Sequence, residues 1–325
     1  MPERVLLETR NLKKYFPFKR NAGLFSQIVP LRAVDGVSFQ LYENETLGLV
    51  GESGCGKTTL GRTIVRLYRP SDGQILFKDQ DISSLSEKEL LPVRKRMHMI
   101  FQDPYSSLNP RMNVTEIIAE AMGNNEGIAP KYRKDRVLEL LGMVGLNSDH
   151  ANRFPHEFSG GQRQRVGIAR SLAANPEFIV CDEPLSALDV SIQAQIVNLL
   201  KELQGRLNLT LLFIAHDLSM VQYISDRIGV MYMGRLVELA SARDLGSHPA
   251  HPYTQALISA VPIADPVTER TKKRTLLEGE LPSLIDPPSG CCFRTRCPLA
   301  AEQCAIEQPQ LREMEPGHIV ACHQV

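Results

Sequence analysis

The sequence lacks an excess of charge of either sign. Its 325 residues include 37 basic and 37 acidic side chains, so the formal net charge is zero. Proteins that hold nucleic acid through its phosphates usually carry a basic excess, and this balance therefore argues against a nucleic-acid partner. The hydrophobic fraction of 43% and the charged fraction of 23% are typical of an ordinary globular protein.

Long apolar runs are also missing. The longest core-like stretch is 211–215, whereas a helix that spans a bilayer needs ~20 apolar residues. The N-terminal residues, among them Glu3, Arg4 and Glu8, do not form the apolar core of a signal peptide. We therefore expect a soluble, cytoplasmic chain that another component would have to hold at any membrane where it works.

Strands alternate with helices in the early and late parts of the chain, which predicts a mostly parallel sheet covered on both faces. A helical block at 104–156 interrupts this alternation. Lys, Arg, Asn, Gly and Pro break any period over 17–30, so a loop insertion is expected there. The predicted strands are 5–12, 33–41, 46–50, 177–181 and 209–215, and the predicted helices are 60–68, 115–122, 134–141, 162–172 and 190–203.

A glycine-rich segment follows the strand at 46–50 and opens a helix. Residues 51–58 read Gly-Glu-Ser-Gly-Cys-Gly-Lys-Thr, which fits the spacing of a phosphate-binding loop. Its glycines let backbone N–H groups surround phosphates at the N-terminus of a helix. Lys57 supplies a positive charge between the outer phosphates, Thr58 offers a hydroxyl to Mg²⁺, and Thr59 reaches the inner phosphate. The residues predicted to bind the nucleotide here are Gly51, Ser53, Gly54, Cys55, Gly56, Lys57, Thr58 and Thr59.

Two acids end an apolar strand at the edge where doubly wound sheets bind ligands. Asp182 is placed to hold Mg²⁺ through water, and Glu183 to accept a proton from an attacking water. Alone, such a strand end is common in proteins without any catalytic role. Together with the glycine-rich segment, it predicts hydrolysis of a nucleoside triphosphate, ATP above all.

A third motif begins at Phe158 and continues as Ser159-Gly160-Gly161-Gln162. A serine followed by glycines also suits the N-cap of a helix. The chain also contains the phosphate loop, Gln102, the acids 182–183, residues 186–189 and His216. With these elements in this order, it closely resembles the ATP-binding cassette of ABC transporters. The resemblance covers about residues 4–245. It implies an α/β P-loop NTPase fold with antiparallel N-terminal strands, a mostly parallel core and a helical subdomain at about 104–165.

The family's roles carry over to matching positions in this sequence. The resemblance implies that Gln102 touches Mg²⁺ and water and that His216 contacts the γ-phosphate. Phe16 lies where an aromatic ring stacks on adenine, with Tyr15 as the alternative. The residues implied to bind ATP held by a partner cassette are Ser159, Gly160, Gly161, Gln162 and Asp189. Phe158 departs from the family's commoner leucine and leaves these contacts intact.

The same resemblance implies partners. Two cassettes would close around two ATP molecules and part after hydrolysis, beneath two membrane permease subunits. All motifs for both half-sites are present, so a homodimer is chemically feasible, while the subfamily favours a heterodimer with a sister ATPase. An extracytoplasmic peptide-binding protein would join through the complex, and the chain would lie peripherally on the cytoplasmic face of the membrane.

Residues 246–325 differ in composition and are predicted to form a small module after the cassette at 1–245. His251-Pro252-Tyr253-Thr254 suits a helix start, with proline in the first turn. It also resembles the segment that opens the C-terminal extension of oligopeptide and dipeptide transporter ATPases. The subfamily includes nickel and glutathione importers, so both remain alternatives to a peptide as the transported substrate.

Five of the seven cysteines fall between Cys291 and Cys322. The subfamily pattern has cysteine at the positions of Cys291, Cys297, Cys304 and Cys322, and some members bind a [4Fe–4S] cluster through these four. Four thiolates suit either that cluster or a tetrahedral zinc, and the absence of short Cys-x₂-Cys pairs favours the cluster. Thiols packed in a small core, or a disulfide formed in air, are the alternatives without a metal.

Two other function classes compete with a transporter ATPase. Soluble ABC ATPases of translation usually carry two cassettes, and those of DNA repair insert long coiled coils. This chain has one cassette, no heptad stretch and no basic patch. A regulatory module that has lost catalysis is disfavoured because Lys57, Glu183 and His216 are all present.

Overall fold

The structure is a computed structural model that describes residues 4–22, 25–123, 132–186, 188–262, 270, 277 and 279–325. The chain divides into two compact units. The first contains Leu85–Ala215 with Arg4 and Tyr42–Glu45, and the second contains Val5–Leu41, Thr46–Ser84 and His216–Val325.

Three parallel strands form the sheet of the first unit. They are β6 (Met97–Ile100), β7 (Phe178–Asp182) and β8 (Thr210–Ile214), with β7 between the other two. All five residues of β7 and all five of β8 are buried. This explains their near-continuous apolar sequence, because a parallel strand covered on both faces has no solvent-facing positions to fill with polar residues.

Helices make up the rest of the first unit, and their starts are encoded locally. Asn113 and Glu116 form a reciprocal capping box at the start of one helix, with each side chain bonded to the other's backbone N–H at 2.9 and 2.8 Å. The apolar faces of three of these helices pack together. The helices are α2 (Glu87–Arg94), α3 (Pro104–Ser107), α4 (Val114–Met122), α5 (Arg133–Met143), α6 (Gly160–Leu172) and α7 (Val190–Leu207), with α4, α5 and α6 in mutual contact.

The second unit contains two sheets. In one sheet the strand order is β2-β1-β4-β5. In the other, the order is β11-β12-β10-β9-β3. The pair β3 and β9 is parallel, whereas β9, β10, β12 and β11 pair antiparallel. The strands are β1 (Val5–Ala22), β2 (Phe25–Tyr42), β3 (Thr46–Val50), β4 (Asp72–Phe77), β5 (Gln80–Asp81), β9 (Arg227–Tyr232), β10 (Arg235–Ser241), β11 (Arg312–Glu315) and β12 (His318–Val320).

Five helices of the second unit are described. They are α1 (Lys57–Ile64), α8 (Leu218–Ile224), α9 (Ala242–Ser247), α10 (Pro252–Ala260) and α11 (Glu302–Ile306). No helix in the described ranges is both long and apolar enough to cross a membrane.

Glu238 of β10 joins three segments of the C-terminal region. Its carboxylate has no exposed surface and accepts hydrogen bonds from the backbone N–H groups of Ala250 and His251 at 2.8 and 3.0 Å. The Nε2 atom of His318 on β12 lies 2.7 Å from the same carboxylate. A buried charge is tolerated only when it is paired and hydrogen-bonded, so Glu238 fixes the start of α10 and the position of β12 together.

The expected loop over residues 17–30 is wrong. The described residues of this segment belong to β1 and β2, which are 18 residues each and far longer than the strands predicted at 5–12 and 33–41. Contacts with distant residues support part of this length. Arg20 pairs with Asp286 at 2.7 Å, and the N–H of Arg32 bonds to the carbonyl of Leu284 at 3.1 Å.

Helix α1 ends earlier than the predicted helix over 60–68. Its last residue is Ile64, and Arg66 then adopts a left-handed backbone with φ of 58°. The buried guanidinium of Arg66 donates a hydrogen bond to the carbonyl of Ile82 at 2.8 Å. This tertiary contact is compatible with the chain leaving the helix, although the local residues alone would have continued it.

The glycine-rich segment between β3 and α1 lies directly against the backbone of β2. Gly56 has a φ of 103°, and a Cβ at this position would come within 2.0 Å of the Ala33 carbonyl oxygen. Gly54 also has a positive φ, of 79°, yet a Cβ there would meet no atom within 4 Å. Replacing Gly54 would therefore incur only the cost of a left-handed backbone, whereas replacing Gly56 would add a steric clash to that cost.

We expect Gly56→Ala to destabilise the protein by at least about 3 kcal/mol, because it adds a backbone clash to the conformational cost. Gly54→Ala should cost only about 1–2 kcal/mol, since conformation is its sole penalty. Urea unfolding of both variants without nucleotide measures the difference, and equal losses would contradict the close contact with Ala33.

We expect His251, the N-cap residue of α10, to make a pH-dependent contribution to the free energy of unfolding. Burial lowers the pKa of His251 from 6.5 to about 4. The unfolded chain therefore takes up a proton first on acidification, so this contribution is lost as pH falls from the unfolded value towards the folded one.

Comparison with His251→Asn isolates this effect, because asparagine can keep the cap but does not titrate in this range. From pH 7 to pH 5 the wild type should lose about 2 kcal/mol of unfolding free energy relative to the variant. A difference between the two proteins that stays constant with pH in urea unfolding would refute the burial argument.

Candidate functional site

The predicted phosphate loop connects β3 to α1, as its sequence requires. Lys57 is 4% exposed, and its Nζ donates hydrogen bonds to the carbonyls of Gly51 and Glu52 at 2.7 and 3.0 Å. The Cys55 thiol is buried 3.7 Å from the same ammonium, and burial raises its pKa. The loop thus holds one ammonium at its centre and a neutral thiol against it. Ser53 and Gly54 are exposed at its tip, while Thr58 and Thr59 are half-buried in the first turn of α1.

A cavity of about 600 Å³ opens beside this loop within the second unit. Gly51, Glu52 and Ser53 line one side, and His216 and Leu257 line another. The structure therefore brings His216 to the phosphate loop, although 165 sequence positions separate it from Gly51. Because Leu257 belongs to α10, part of this helix also lines the cavity.

Tyr15 and Phe16, the two candidates for stacking on adenine, have different surroundings. The Tyr15 hydroxyl donates to the buried Asp35 carboxylate at 2.5 Å, and burial is the main cause that raises its pKa to about 12. The Phe16 ring packs edge-to-face on Tyr68 with centroids 5.4 Å apart and carries the Lys14 ammonium 4.9 Å from its own centroid. The Tyr15 ring is therefore held through its hydroxyl, whereas the Phe16 ring is contacted by Tyr68 and by the Lys14 ammonium.

The two acids at the end of β7 lie within the first unit, as does Gln102. Asp182 is fully buried at the last position of β7. Glu183 follows with a left-handed φ of 44°, an uncommon conformation for a residue with a side chain. Its carboxylate accepts a hydrogen bond from the Gln102 amide at 2.7 Å. The structure thus joins Gln102 to Glu183 across 81 sequence positions.

Ser159 caps α6 and is exposed. The Gln162 N–H lies 3.4 Å from the Ser159 hydroxyl, and the side-chain amide oxygen (Oε1) of Gln162 accepts from the Ser159 N–H at 3.1 Å. The capping interpretation is therefore correct, and the cap presents Gly160 and Gly161 in the first turn of the helix. Asp189 is the exposed N-cap residue of α7. Phe158, which replaces the commoner leucine, is buried and contacts His150.

The four cysteines of the predicted metal site lie near one another in the C-terminal region. The Cys291 N–H bonds to the Cys304 carbonyl at 2.7 Å. Burial is the main cause that raises the pKa values of Cys291, Cys297 and Cys322, and thiols of the same set add to the increase.

The arrangement of these thiols does not fit the predicted metal. Among the described residues, which include all seven cysteines, no group of three or more His, Cys, Asp or Glu side chains is arranged to hold a metal ion. The prediction of a [4Fe–4S] cluster or zinc at Cys291, Cys297, Cys304 and Cys322 is therefore not supported. All four are free thiols in this structure.

Sequence reasoning missed the partners of Glu52. This second residue of the phosphate loop pairs with Arg296 at 2.8 Å, and its N–H bonds to the Tyr253 hydroxyl at 2.8 Å. No spacing relates Glu52 to Arg296, because 244 positions separate them. The segment 251–254, which we interpret as a helix start and as the opening of the C-terminal extension, contains Tyr253 but gives no indication of its contact with Glu52.

Two family models match the chain in separate segments. The model described as "ABC transporter" matches residues 34–186, which include the phosphate loop and the acids of β7. The model described as "Oligopeptide/dipeptide transporter, C-terminal region" matches residues 237–304.

Curated relatives are similar over almost the whole chain. The oligopeptide transport ATP-binding protein AppF of Bacillus subtilis is 55% identical over 323 residues, which cover 99% of this chain and 98% of the relative. The oligopeptide transport ATP-binding protein OppF of Salmonella typhimurium is 53% identical over 324 residues, covering 99% and 97%.

Solved structures share the fold of the cassette. A dimeric post-hydrolysis state of the ATP-binding cassette MJ0796, bound to ADP and Pi, is 29% identical with a TM-score of 0.64 and covers 73% of this chain and 99% of that one. The cbiO1 protein of Clostridium perfringens, part of an ABC transporter complex, is 26% identical with a TM-score of 0.64 and covers 76% and 92%. The chain therefore belongs to the ABC transporter family, among the ATP-binding proteins that carry the oligopeptide/dipeptide transporter C-terminal region.

Proposed function

We propose that this chain hydrolyses ATP to drive an ABC importer of di- and oligopeptides. The observation that carries this proposal is the pairing of Gln102 with Glu183 at the end of β7, in a chain that also has a complete phosphate loop. The peptide substrate is supported by the C-terminal region model and by relatives named for oligopeptide transport. Nickel or glutathione remains the alternative cargo for this subfamily.

In the proposed reaction, water attacks the γ-phosphorus of ATP and the bond to the β-phosphate oxygen breaks. Glu183 accepts the proton of that water, and Gln102 orients both the water and the carboxylate. Lys57 and His216 stabilise charge on the outer phosphates, while the backbone N–H groups of the loop surround them. The left-handed backbone of Glu183 directs its carboxylate towards Gln102, which pre-positions the base for this step.

We propose that Mg²⁺ accompanies ATP and binds through Thr58, Gln102 and Asp182. A hydroxyl from Thr58, an amide oxygen from Gln102 and the carboxylate of Asp182 are the oxygen ligands that this ion prefers. When bound, Mg²⁺ neutralises charge on the phosphates of ATP. Asp182 is buried at the last position of β7, where it supplies a carboxylate at the carboxyl end of a parallel strand.

We further propose that ATP becomes part of a dimer interface. The exposed cap formed by Ser159 and Gln162, with Gly160 and Gly161, would bind the γ-phosphate of ATP held by a second cassette, and Asp189 would contribute across the same interface. ATP binds the closed dimer more tightly than the open one, and hydrolysis removes that preference. The second cassette would be a sister ATPase, or else another copy of this chain.

The proposed cassette comprises residues 1–245, with a helical subdomain at about 104–165, and the C-terminal extension comprises 246–325. The cassette would sit peripherally on the cytoplasmic face of the membrane, beneath two permease subunits. An extracytoplasmic peptide-binding protein would deliver cargo to the complex. Phe16 would stack on adenine, because Tyr15 is held by Asp35.

Glu183→Gln should lower ATP turnover by about 10²–10⁴-fold, because the amide cannot accept the proton of the attacking water. ATP binding should persist, and the variant should accumulate as an ATP-bound dimer. The matched control is Glu202→Gln, which changes an exposed glutamate of α7 that pairs with Arg206. Phosphate release and size-exclusion chromatography with ATP measure both properties. Wild-type turnover in Glu183→Gln would exclude Glu183 as the base.

The cargo is tested on the intact complex rather than on this chain alone. We expect the complex, copurified with its substrate-binding protein, to carry short peptides that mass spectrometry identifies. Bound nickel or glutathione in place of peptides would replace the peptide assignment and leave the ATPase assignment unchanged.

A further inference from the structure

The phosphate loop contains a carboxylate at an electrostatically unfavourable position. Glu52 is the second residue of the loop, next to Gly51 and five positions before Lys57. A triphosphate bound by the neighbouring N–H groups carries several negative charges. An unpaired carboxylate in the same loop would repel it and weaken binding.

Arg296 from the C-terminal region neutralises this carboxylate. Its two terminal nitrogens bond separately to the two carboxylate oxygens of Glu52 at 2.8 and 3.1 Å, a bidentate arrangement. The Arg296 side chain is only 8% exposed and that of Glu52 is 28% exposed. The hydrogen bond to Glu52 is the main cause that raises the pKa of Arg296 above its usual value. The pair is therefore partly withdrawn from water. In such surroundings the geometry and charge of an ion pair have a larger effect than they have in water.

Tyr253 holds the backbone of the same residue. Its hydroxyl accepts a hydrogen bond from the Glu52 N–H at 2.8 Å, and its ring is fully buried in α10. Two segments of the C-terminal region thus hold Glu52. Tyr253 holds its backbone, and Arg296, which lies 43 positions later, holds its side chain. Attachment at both the side chain and the backbone leaves Glu52 little freedom to turn its carboxylate towards a bound phosphate.

A buried aromatic cluster connects these two attachments. Tyr232, Tyr253 and Phe293 contact one another with ring centroids 4.8–5.4 Å apart. The Arg296 N–H then bonds to the Phe293 carbonyl at 3.0 Å, which ties the turn carrying the guanidinium to the cluster. Aromatic packing of this kind is rigid, so Arg296 and Tyr253 are positioned together rather than separately.

We propose that Arg296 is a positioning residue for the nucleotide, through which the C-terminal region sets the affinity of the phosphate loop for ATP. Arg296 acts through Glu52: it neutralises the carboxylate and, with Tyr253, keeps it turned away from the phosphates. The inference rests on the proposed role of the loop in binding ATP. It assigns to residues beyond the cassette at 1–245 a direct influence on the nucleotide site.

The test compares ATP affinity among full-length variants. Arg296→Ala leaves Glu52 unpaired and should weaken ATP binding by about tenfold, with a smaller effect at high salt because the repulsion is screened. Arg296→Lys keeps the charge but loses the bidentate geometry, so its affinity should be intermediate. Isothermal titration calorimetry with ATP at low and high ionic strength gives the dissociation constants.

The double variant Glu52→Gln, Arg296→Ala separates charge from structure. It removes the carboxylate together with its partner, so ATP affinity should return to within about threefold of the wild type. A purely structural role for Arg296 would leave the double variant as weak as Arg296→Ala alone, and that result would overturn the proposal. Wild-type affinity in Arg296→Ala would overturn it as well.

Arg294→Ala is the matched control. This arginine lies in the same turn but bonds to Ser289 instead of the loop, so its loss should leave ATP affinity unchanged. If Arg296→Ala does not fold, Glu52→Gln alone still decides, because removing the carboxylate should preserve or strengthen ATP binding. A loss beyond about threefold in that variant would contradict the proposed repulsion.

Lys57→Ala distinguishes a failure of this inference from a failure of the proposed site. Loss of ATP binding in Lys57→Ala, together with normal binding in Arg296→Ala, would overturn only the role of Arg296. Normal ATP binding in Lys57→Ala would instead overturn the assignment of the loop itself.

Discussion

The second unit depends on the close backbone contacts that hold the glycine-rich loop. The Gly234 N–H donates to the Cys55 carbonyl at 2.8 Å, and the Asp35 N–H donates to the Gly234 carbonyl at 2.8 Å. Gly56 lies against Ala33 with no room for a side chain. These contacts connect β2, the turn between β9 and β10, and the loop through the backbone alone. The shape of the loop is therefore supported by backbone contacts within the chain, and Lys57 lies at its centre.

The C-terminal region provides further contacts to the loop, including one that pairs with the charge of Glu52. Glu238 fixes the start of α10 and β12, and the aromatic rings of Tyr253 and Phe293 pack in the interior. Tyr253 and Arg296 then reach Glu52 from that packed base. A region that composition alone sets apart from the cassette thus supplies direct contacts to the phosphate loop. Its cysteines are free thiols, and among the described residues no arrangement of side chains holds a metal.

Two proposed functional groups use interactions that also stabilise local structure. Ser159 caps α6 through Gln162, and the same exposed residues are those proposed to bind the phosphate of ATP held by a second cassette. Glu183 combines a strained backbone with a hydrogen bond from Gln102. Strain of this kind persists only where the surrounding structure enforces it, and the Glu183 N–H is held by a hydrogen bond to the Ile214 carbonyl of β8 at 3.0 Å.

Local patterns determined much of this protein. The glycine spacing at 51–58, the apolar strand followed by two acids at 182–183 and the helix expected over 190–203 could all be predicted, because each depends on neighbours in sequence. Tertiary structure decided the rest. The described residues of 17–30 are strands, α1 stops at Ile64, and Glu52 meets Arg296. Each of these outcomes involves contacts between residues far apart in the chain, and neither propensity nor spacing carries information about such contacts until the chain has folded.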